Sequence, residues 1–337
     1  MSGVGPILAV RDLRVEIPTP TGVVHAVDGV SFDLPPGGAL GLVGESGCGK
    51  SMTLRAIPGL LPRPGRIAGG SVQFDGIELV GMPEAGLRRL RGSGVAMIFQ
   101  EPMTALSPVM RVGDQIAEGP RIHLDRSRTE ARRRALDLMG EVGIPDRARR
   151  YSAYPHELSG GTRQRVMIAI ALSCEPRLIL CDEPTTALDV TIQDQILKLL
   201  LQLSRDHGTS LVFVTHDLAV VAQTCDSVAV MYAGQIVETG PVGDVFREPR
   251  HPYTLALLRS VPDIERVRHR LAAIPGRPPE LTALPAGCRF APRCAFVGDE
   301  CRAGPVSLVE HDRGRAVACL HADQCAADAR HDPVVVG

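Results

Sequence analysis

The stretch GESGCGKS, residues 44–51, constrains the fold of this chain more than any other feature. It continues the apolar run GALGLV and leads into the apolar segment MTLRAIPGLL, an order that predicts a strand, a glycine-rich loop and a helix. It matches the pattern G-x-x-x-x-G-K-[ST], in which glycines let successive backbone N–H groups face phosphate groups. A glycine turn with an incidental lysine is the alternative, which the position between strand and helix disfavours.

The loop therefore predicts a nucleotide-binding site. We expect Lys50 to bind the β and γ phosphates and Ser51 to ligate Mg²⁺. The residues of this segment that we expect to contact the nucleotide are Gly44, Ser46, Gly47, Cys48, Gly49, Lys50, Ser51 and Met52.

A pair of acids follows the apolar run LILC, in the segment LILCDEP. A carboxylate at the end of such a strand can meet a metal ion held by the phosphate loop, so Asp182 is expected to reach Mg²⁺, through water. Glu183 is then placed to polarise the water that attacks the γ-phosphate. Adjacent acids at strand ends are also common on surfaces, so the pair alone fits solvation as well as catalysis.

A second anion-binding device lies in ELSGGTRQR, residues 157–165. The turn of Ser159, Gly160 and Gly161 runs into the predicted helix TRQRVMIAIALS, whose N-terminal N–H groups and positive dipole end favour an anion. One chain thus holds two phosphate-binding motifs.

These motifs, in this order, resemble the ATP-binding cassette family from about residue 7 to residue 240. The resemblance implies that two cassettes pair head to tail, with each ATP between one phosphate loop and the signature helix of the partner. It implies that Gln100, in MIFQEP, ligates the metal and senses the transport subunit. It also implies that Asp189, in TTALD, lies in a loop crossing the dimer, and that His216, in VFVTHD, contacts the γ-phosphate. The catalytic set is then Glu183, His216 and Gln100, with Ser51, Gln100 and Asp182 around Mg²⁺.

The sequence departs from the family pattern at two positions. Thr162 stands where many cassettes have glutamine, which leaves the Ser-Gly-Gly turn intact. Ile17 stands near the position where many have an aromatic residue that stacks on adenine, and His25 is the nearby ring.

Strands alternate with helices along the chain, which predicts an α/β fold with a mainly parallel sheet. An antiparallel strand pair is predicted in ILAVRDLRVEI and VVHAVDGVSFDL, with further strands at SVQFDG, VAMIFQ, RLILCDEP, SLVFVTHD and SVAVMYAG. By resemblance this is a P-loop NTPase cassette with a RecA-like core, an antiparallel β subdomain and a helical subdomain at about residues 102–160. We place the cassette at residues 1–250 and a cysteine-rich C-terminal extension at 251–337.

Composition excludes several classes. A net charge of −1 argues against a generic nucleic-acid binder, and no window approaches the ~18 apolar residues of a membrane span. The N-terminal stretch lacks the basic flank and apolar run of a secretion signal, so we expect a cytosolic chain.

The segments GESGCGKSMTLRAIPGLLP, FQEPMTALSPVMRVGDQI and HPYTLALLRSVP resemble the ATPase subunits of oligopeptide and dipeptide importers, a group that includes nickel and glutathione systems. The resemblance implies a second, non-identical cassette, two transmembrane permease subunits that residues 100–110 would contact, and an extracytoplasmic peptide-binding protein. The chain would lie at the cytoplasmic face of the inner membrane. Alternatives are a cassette acting on nucleic acid or ribosomes and one half of an exporter.

Five cysteines cluster near the C-terminus. Their spacing does not match the paired C-x-x-C of a typical zinc site, and thiols stay reduced in the cytosol. Some peptide-importer ATPases carry a [4Fe–4S] cluster on such cysteines, so the resemblance implies one on Cys288, Cys294, Cys301 and Cys319, with Cys325 as an alternative fourth ligand. A structural zinc and unligated thiols remain open.

Overall fold

The structure is a computed structural model that describes residues 5–185, 189–260, 274–311 and 314–331. The strands in these ranges are, in chain order, β1 (Leu8–Thr19), β2 (Gly22–Leu34), β3 (Ala39–Val43), β4 (Arg66–Phe74), β5 (Ile77–Glu78), β6 (Val95–Ile98), β7 (Leu178–Asp182), β8 (Ser210–Thr215), β9 (Ser227–Tyr232), β10 (Gln235–Pro241), β11 (Val309–Glu310) and β12 (Ala316–Val317).

The α-helices in the same ranges are α1 (Lys50–Ala56), α2 (Glu84–Leu90), α3 (Pro102–Ala105), α4 (Val112–His123), α5 (Arg128–Glu141), α6 (Arg147–Tyr151), α7 (Gly160–Leu172), α8 (Val190–His207), α9 (Leu218–Thr224), α10 (Val242–Arg247), α11 (Pro252–Ser260), α12 (Glu300–Ala303) and α13 (Ala322–His331). The chain divides into two compact units. Among the described residues, the first contains 5–7, 34–38, 81–185 and 189–213, and the second contains 8–33, 39–80, 214–260, 274–311 and 314–331.

In the first unit, β6 and β7 pair in parallel, with Ile98 opposite Cys181. Every residue of β7 is buried, as expected for a parallel strand covered on both faces. Helices α3 to α7 follow one another between residues 102 and 172, and α4 packs against α5 and α7. Ser127 caps α5 reciprocally with Glu130, which fixes where that helix begins.

In the second unit, β1, β2, β4 and β5 form a sheet of order β2-β1-β4-β5, in which β1 and β4 run antiparallel. The predicted neighbours β1 and β2 are confirmed, and β4 begins at Arg66, earlier than the predicted SVQFDG. Strands β3 and β9 are parallel, whereas β9 and β10 form an antiparallel pair. Strand β10 was not predicted from the sequence. Strand β3 of this parallel pair leads directly into the phosphate loop, which begins at residue 44.

The C-terminal region packs into the core of the second unit. One apolar cluster contains Tyr232 of β9, Tyr253 of α11 and Phe290, so it spans both sides of the predicted domain boundary at residue 250. The buried Glu238 of β10 accepts hydrogen bonds from the backbone N–H of His251 (2.9 Å) and from Arg315 (3.0 Å). The boundary itself stays a prediction, and residues 261–273 of the predicted extension lie outside the described ranges.

Candidate functional site

The phosphate loop, residues 44–51, is closely packed against its own unit. Gly44 and Gly49 have positive φ angles of 151° and 108°. A Cβ at Gly44 would lie 2.2 Å from the carbonyl oxygen of Met231, and one at Gly49 would lie 2.3 Å from that of Ala26. Gly47 also has a positive φ, but a Cβ there would meet nothing within 4 Å. Two of the three glycines are therefore required by space as well as by backbone angle.

Lys50 begins α1 and is 5% exposed. Its Nζ donates hydrogen bonds to the carbonyl oxygens of Gly44 (2.7 Å) and Glu45 (2.9 Å). Cys48 is buried beside it, and burial raises the pKa of that thiol. Ser51 follows in the first turn of α1, with Met52 after it. The glycine cradle and the buried ammonium group fit the phosphates and Mg²⁺ that the motif predicts.

Gln100 and Glu183 meet in the first unit. They follow the neighbouring parallel strands β6 and β7, and Gln100 Nε2 donates to Glu183 Oε2 at 3.1 Å. Asp182, the last residue of β7, is 0% exposed. Glu183 has a φ of 48°, a left-handed conformation that non-glycine residues rarely adopt and that occurs preferentially at functional sites. The structure thus brings together two of the three residues predicted to be catalytic.

The signature turn, Ser159 to Gly161, is also in the first unit. Ser159 is the N-cap of α7 and its Oγ accepts a hydrogen bond from the backbone N–H of Thr162 at 3.4 Å. Ser159 and Gly160 are exposed. A Cβ at Gly161 would lie 2.9 Å from Ile192 of α8. The turn is thus a capped helix N-terminus open to solvent, as an anion site requires.

Asp189 and His216 lie at the ends of other elements. Asp189 is exposed and caps α8, with its Oδ1 accepting from the backbone N–H of Ile192 at 3.0 Å. Residues 186–188 of the predicted dimer loop TTALD lie outside the described ranges. His216 is exposed and directly follows β8 in the second unit. Both are accessible to a ligand or partner.

Two contacts to the phosphate loop were missed by the sequence analysis. The backbone N–H of Glu45 donates to Tyr253 Oη at 2.8 Å. The Glu45 carboxylate forms two hydrogen bonds with the guanidinium group of Arg293, at 2.6 and 2.9 Å. The stretch HPY, which contains Tyr253, was a family signature in the sequence, but its spacing carried no information on this contact. The residues on both sides belong to the second unit.

The C-terminal cysteines are packed among apolar side chains. Cys288 and Cys294 pack against the cluster of Tyr232, Tyr253 and Phe290. Burial raises the pKa of the Cys288 and Cys294 thiols, and raises that of Cys319 to about 12. Cys325 is fully buried beside Leu255 and Ala329. Among the described residues, the His, Cys, Asp and Glu ligand atoms that gather within 4.8 Å belong to Glu300, Cys301 and His321.

Within the described ranges, no helix combines the length and apolar character needed to cross a membrane.

Two sequence families match the chain. The family described as "ABC transporter" matches residues 27–186. The family described as "Oligopeptide/dipeptide transporter, C-terminal region" matches residues 237–301. The second match covers most of β10, all of α11 and the first three of the clustered cysteines.

Curated relatives match nearly the whole chain. The oligopeptide transport ATP-binding protein OppD of Escherichia coli (strain K12) is 49% identical over 314 residues, which is 93% of each chain. The probable peptide ABC transporter ATP-binding protein y4tR of Sinorhizobium fredii is 51% identical over 320 residues, or 94% of this chain and 96% of that one. The probable D,D-dipeptide transport ATP-binding protein DdpD of Escherichia coli (strain K12) is 48% identical and covers 95% and 98%.

Solved structures share the fold of much of the chain. A bacterial ABC transporter cassette solved as a dimer superposes with a TM-score of 0.63 at 26% identity, covering 70% of this chain and 98% of that one. CbiO1 of Clostridium perfringens, part of the ABC transporter complex CbiONQ, superposes with a TM-score of 0.62 at 28% identity, covering 72% and 91%. The predicted α/β cassette fold is confirmed.

The prediction of a [4Fe–4S] cluster is wrong. The C-terminal family and the relatives are described by peptide transport and ATP binding, and neither their names nor the shared fold supports an iron–sulfur centre. The prediction on Cys288, Cys294, Cys301 and Cys319 is therefore wrong.

Proposed function

The chain belongs to the ABC transporter family, among the ATP-binding proteins of peptide transport, and from that premise we propose that it hydrolyses ATP to power the import of oligopeptides or dipeptides. The observation that carries the catalytic part is the hydrogen bond between Gln100 and Glu183 at the ends of two neighbouring parallel strands. The C-terminal family match and the relatives' names support the peptide part.

The residues of the phosphate loop bind the nucleotide in this proposal. Backbone N–H groups of residues 44–51 and the ammonium group of Lys50 hold the β and γ phosphates, and Ser51, Gln100 and Asp182 provide oxygen atoms for Mg²⁺. ATP supplies the phosphoanhydride bond that is cleaved, and Mg²⁺ offsets the charge of its phosphates. Strand β3 leads into the phosphate loop, β6 is followed by Gln100, and β7 ends at Asp182, so these strands position the residues of the site.

Glu183 is the residue that activates water. Its carboxylate accepts a hydrogen bond from the attacking water and so increases the negative charge on the water oxygen. Gln100 holds that carboxylate through its amide N–H. His216, exposed after β8, contacts the γ-phosphate and stabilises the charge that develops there.

A partner cassette completes the site. Ser159, Gly160 and Gly161 present a capped helix N-terminus to solvent, which suits the phosphates of a nucleotide bound by another cassette. Asp189 lies in the loop that would cross such a dimer. A similar cassette was solved as a dimer bound to ADP and phosphate, which supports the pairing.

The remaining partners follow from the same proposal. The chain would bind two transmembrane permease subunits at the cytoplasmic face of the membrane, together with a second, non-identical cassette. The exposed Met103 and Val109 lie within the predicted contact segment 100–110 and offer apolar surface for a permease helix. An extracytoplasmic peptide-binding protein would deliver the substrate.

Glu183→Gln tests the catalytic assignment. In a transporter assembled with permease and partner cassette, we expect hydrolysis by the variant site to fall about 100-fold or more, because the neutral amide cannot polarise water. Binding of MgATP should remain within about threefold of wild type, since the shape of the side chain is kept.

Glu175→Gln provides the matched control. Glu175 is an exposed carboxylate of the same unit and also has a positive φ, of 54°, but it pairs with Arg134. Its variant should hydrolyse ATP at the wild-type rate. Near-normal hydrolysis by Glu183→Gln, or an equal loss in both variants, would contradict the role given to Glu183.

A further inference from the structure

Arg293 comes from the C-terminal region and is almost fully enclosed in the second unit. It ends a short 3-10 helix, Ala291–Arg293, and its side chain is 3% exposed. Its guanidinium group has five N–H donors. Two of them bind Glu45 at 2.6 and 2.9 Å, and the others bind the carbonyl oxygens of Pro275 (2.8 Å) and Ile274 (3.5 Å) and the hydroxyl of Tyr232 (3.3 Å). Every donor of this arginine therefore has a partner.

Glu45 is the second residue of the phosphate loop and carries a negative charge there. Both of its carboxylate oxygens are bound by Arg293, and its backbone N–H is bound by Tyr253 Oη. Its backbone carbonyl accepts a hydrogen bond from Lys50 Nζ. The residue is thus fixed at its side chain and at both backbone polar groups.

The charge of Glu45 opposes the function of the loop that contains it. Nucleotide phosphates are anionic, and a carboxylate in the loop that cradles them repels them unless a cation offsets it. A bidentate arginine–carboxylate pair has no net charge, its hydrogen bonds are about twice as strong as those between neutral groups, and partial burial reduces its screening by salt. Arg293 supplies that cation from 248 residues further along the chain.

Neighbouring contacts fix the segment that carries Arg293. The backbone N–H of His25 in β2 donates to the carbonyl of Leu281 at 3.1 Å. Arg289 binds Asp28 of the same strand and the carbonyl oxygen of Ala233. The segment around residues 274–294 therefore packs along β2, and these contacts fix the backbone from which the side chain of Arg293 reaches Glu45.

We propose that Arg293 is a positioning residue for nucleotide binding, which neutralises Glu45 and so lets the phosphate loop accept an anionic nucleotide. The role rests on the proposed function, since it presumes that the loop binds a nucleotide. It gives the C-terminal region a part in the ATP site itself. The proposal predicts opposite effects on nucleotide affinity. Removing the arginine lowers the affinity, whereas removing the glutamate does not.

The test measures the affinity of the purified full chain for MgADP by isothermal titration calorimetry, with thermal unfolding recorded for every variant. Arg293→Gln leaves Glu45 uncompensated and should weaken MgADP binding about tenfold. Glu45→Gln should bind MgADP at least as tightly as wild type. The double variant should bind within about threefold of Glu45→Gln, because the charge that Arg293 offsets is then absent.

Arg289→Gln is the matched control, because Arg289 is a mostly buried arginine of the same segment that binds Asp28 and makes no hydrogen bond to the loop. It should change MgADP affinity less than threefold. An unchanged affinity in Arg293→Gln, an equal loss in Arg289→Gln, or a double variant as weak as Arg293→Gln would each overturn the proposal. Should Arg293→Gln not fold, Glu45→Gln decides, since weaker binding by that variant also overturns it.

Lys50→Ala separates this proposal from the proposed function. It should abolish MgADP binding if the loop is a nucleotide site at all. A wild-type chain that binds no MgADP, or a Lys50→Ala variant that binds normally, would refute the nucleotide site. A normal wild type and a defective Lys50→Ala with an unaffected Arg293→Gln would refute the role of Arg293 alone.

Discussion

The phosphate loop and the signature turn are both proposed to bind phosphate, yet the chain supports them in different ways. Residues distant in sequence hold the loop. The carbonyl oxygens of Met231 and Ala26 lie against its glycines, and Tyr253 and Arg293 bind Glu45. The signature turn at Ser159 is held by its own helix cap. The loop is thus held by contacts within its own unit, whereas the turn is exposed, as the proposed partner cassette would require.

This difference predicts where single substitutions have large effects. A change in the loop must displace backbone that is packed on several sides, and its cost appears in the isolated chain. A change at Ser159 of the signature turn costs little more than a cap, and its main effect appears only in the assembled transporter. Gly49→Ala and Ser159→Ala test that contrast, and a pH-dependent effect at His251 falls between them in its expected size on the stability of the isolated chain.

Gly49→Ala should have the largest effect. The new Cβ would lie 2.3 Å from the carbonyl oxygen of Ala26, at a φ of 108° that side chains rarely adopt. We expect a loss of about 3–5 kcal/mol in the free energy of unfolding, measured by chemical denaturation. Gly47→Ala is the control, because its φ is 79° but its Cβ meets nothing within 4 Å. It should lose only about 1–2 kcal/mol, and equal losses would show that space around the loop is not what matters.

Acid should have a smaller effect, acting through His251. Burial lowers the pKa of His251 to about 3, so the folded chain keeps this ring neutral, while the unfolded chain protonates it near 6.5. Below pH 6.5 the unfolded state therefore binds a proton that the folded state does not. The stability that His251 contributes is complete above that pH and decreases as the pH falls toward 3, by about 2 kcal/mol over the first two units.

His251→Gln isolates this contribution. Glu238, which binds the His251 backbone N–H, has a pKa raised by burial and contributes with the opposite sign, and it stays in both proteins. The difference in unfolding free energy between wild type and variant, followed against pH, should therefore show the histidine alone. A difference that does not vary between pH 7 and pH 4.5 would mean that His251 is not held neutral in the fold.

Ser159→Ala should have the smallest effect on stability. Loss of the cap costs about 1 kcal/mol, and MgADP binding by the isolated chain should not change. Hydrolysis in the assembled transporter should fall at least tenfold, because the partner's nucleotide loses the Ser159 hydroxyl. Ser127→Ala removes the cap of α5 at a similar cost and should leave hydrolysis intact. A Ser159→Ala transporter that hydrolyses ATP as fast as Ser127→Ala would break the contrast between loop and turn.

Features that depend on contiguous residues could be predicted from the sequence. The strand, loop and helix around Lys50 and the capped helix after Ser159 each follow from a short motif, and the structure places them as expected. The positions of Gln100 and Glu183 at the ends of two strands were also predicted. Their hydrogen bond was not, because it depends on β6 and β7 being neighbours, which no single segment specifies.

Features that depend on distant residues could not be predicted. Glu45 and Arg293 are 248 residues apart, and nothing near either one indicates the other. Strand β10 was also missed, although it follows β9 after a turn of two residues and pairs with it antiparallel. The cysteine spacing indicated a cluster, but it could not show that Phe290 and Tyr253 pack beside Cys288 and Cys294 and keep the thiols buried.

The two tyrosines beside the phosphate loop have an optical consequence. The chain contains four tyrosines and no tryptophan, so tyrosine dominates its near-ultraviolet emission. The rings of Tyr232 and Tyr253 lie 4.6 Å apart, and their hydroxyl groups bind Arg293 and the backbone of Glu45. In a background where Tyr151 and Tyr154 are phenylalanine, the intrinsic fluorescence and circular dichroism of this pair report the state of the loop without any attached dye.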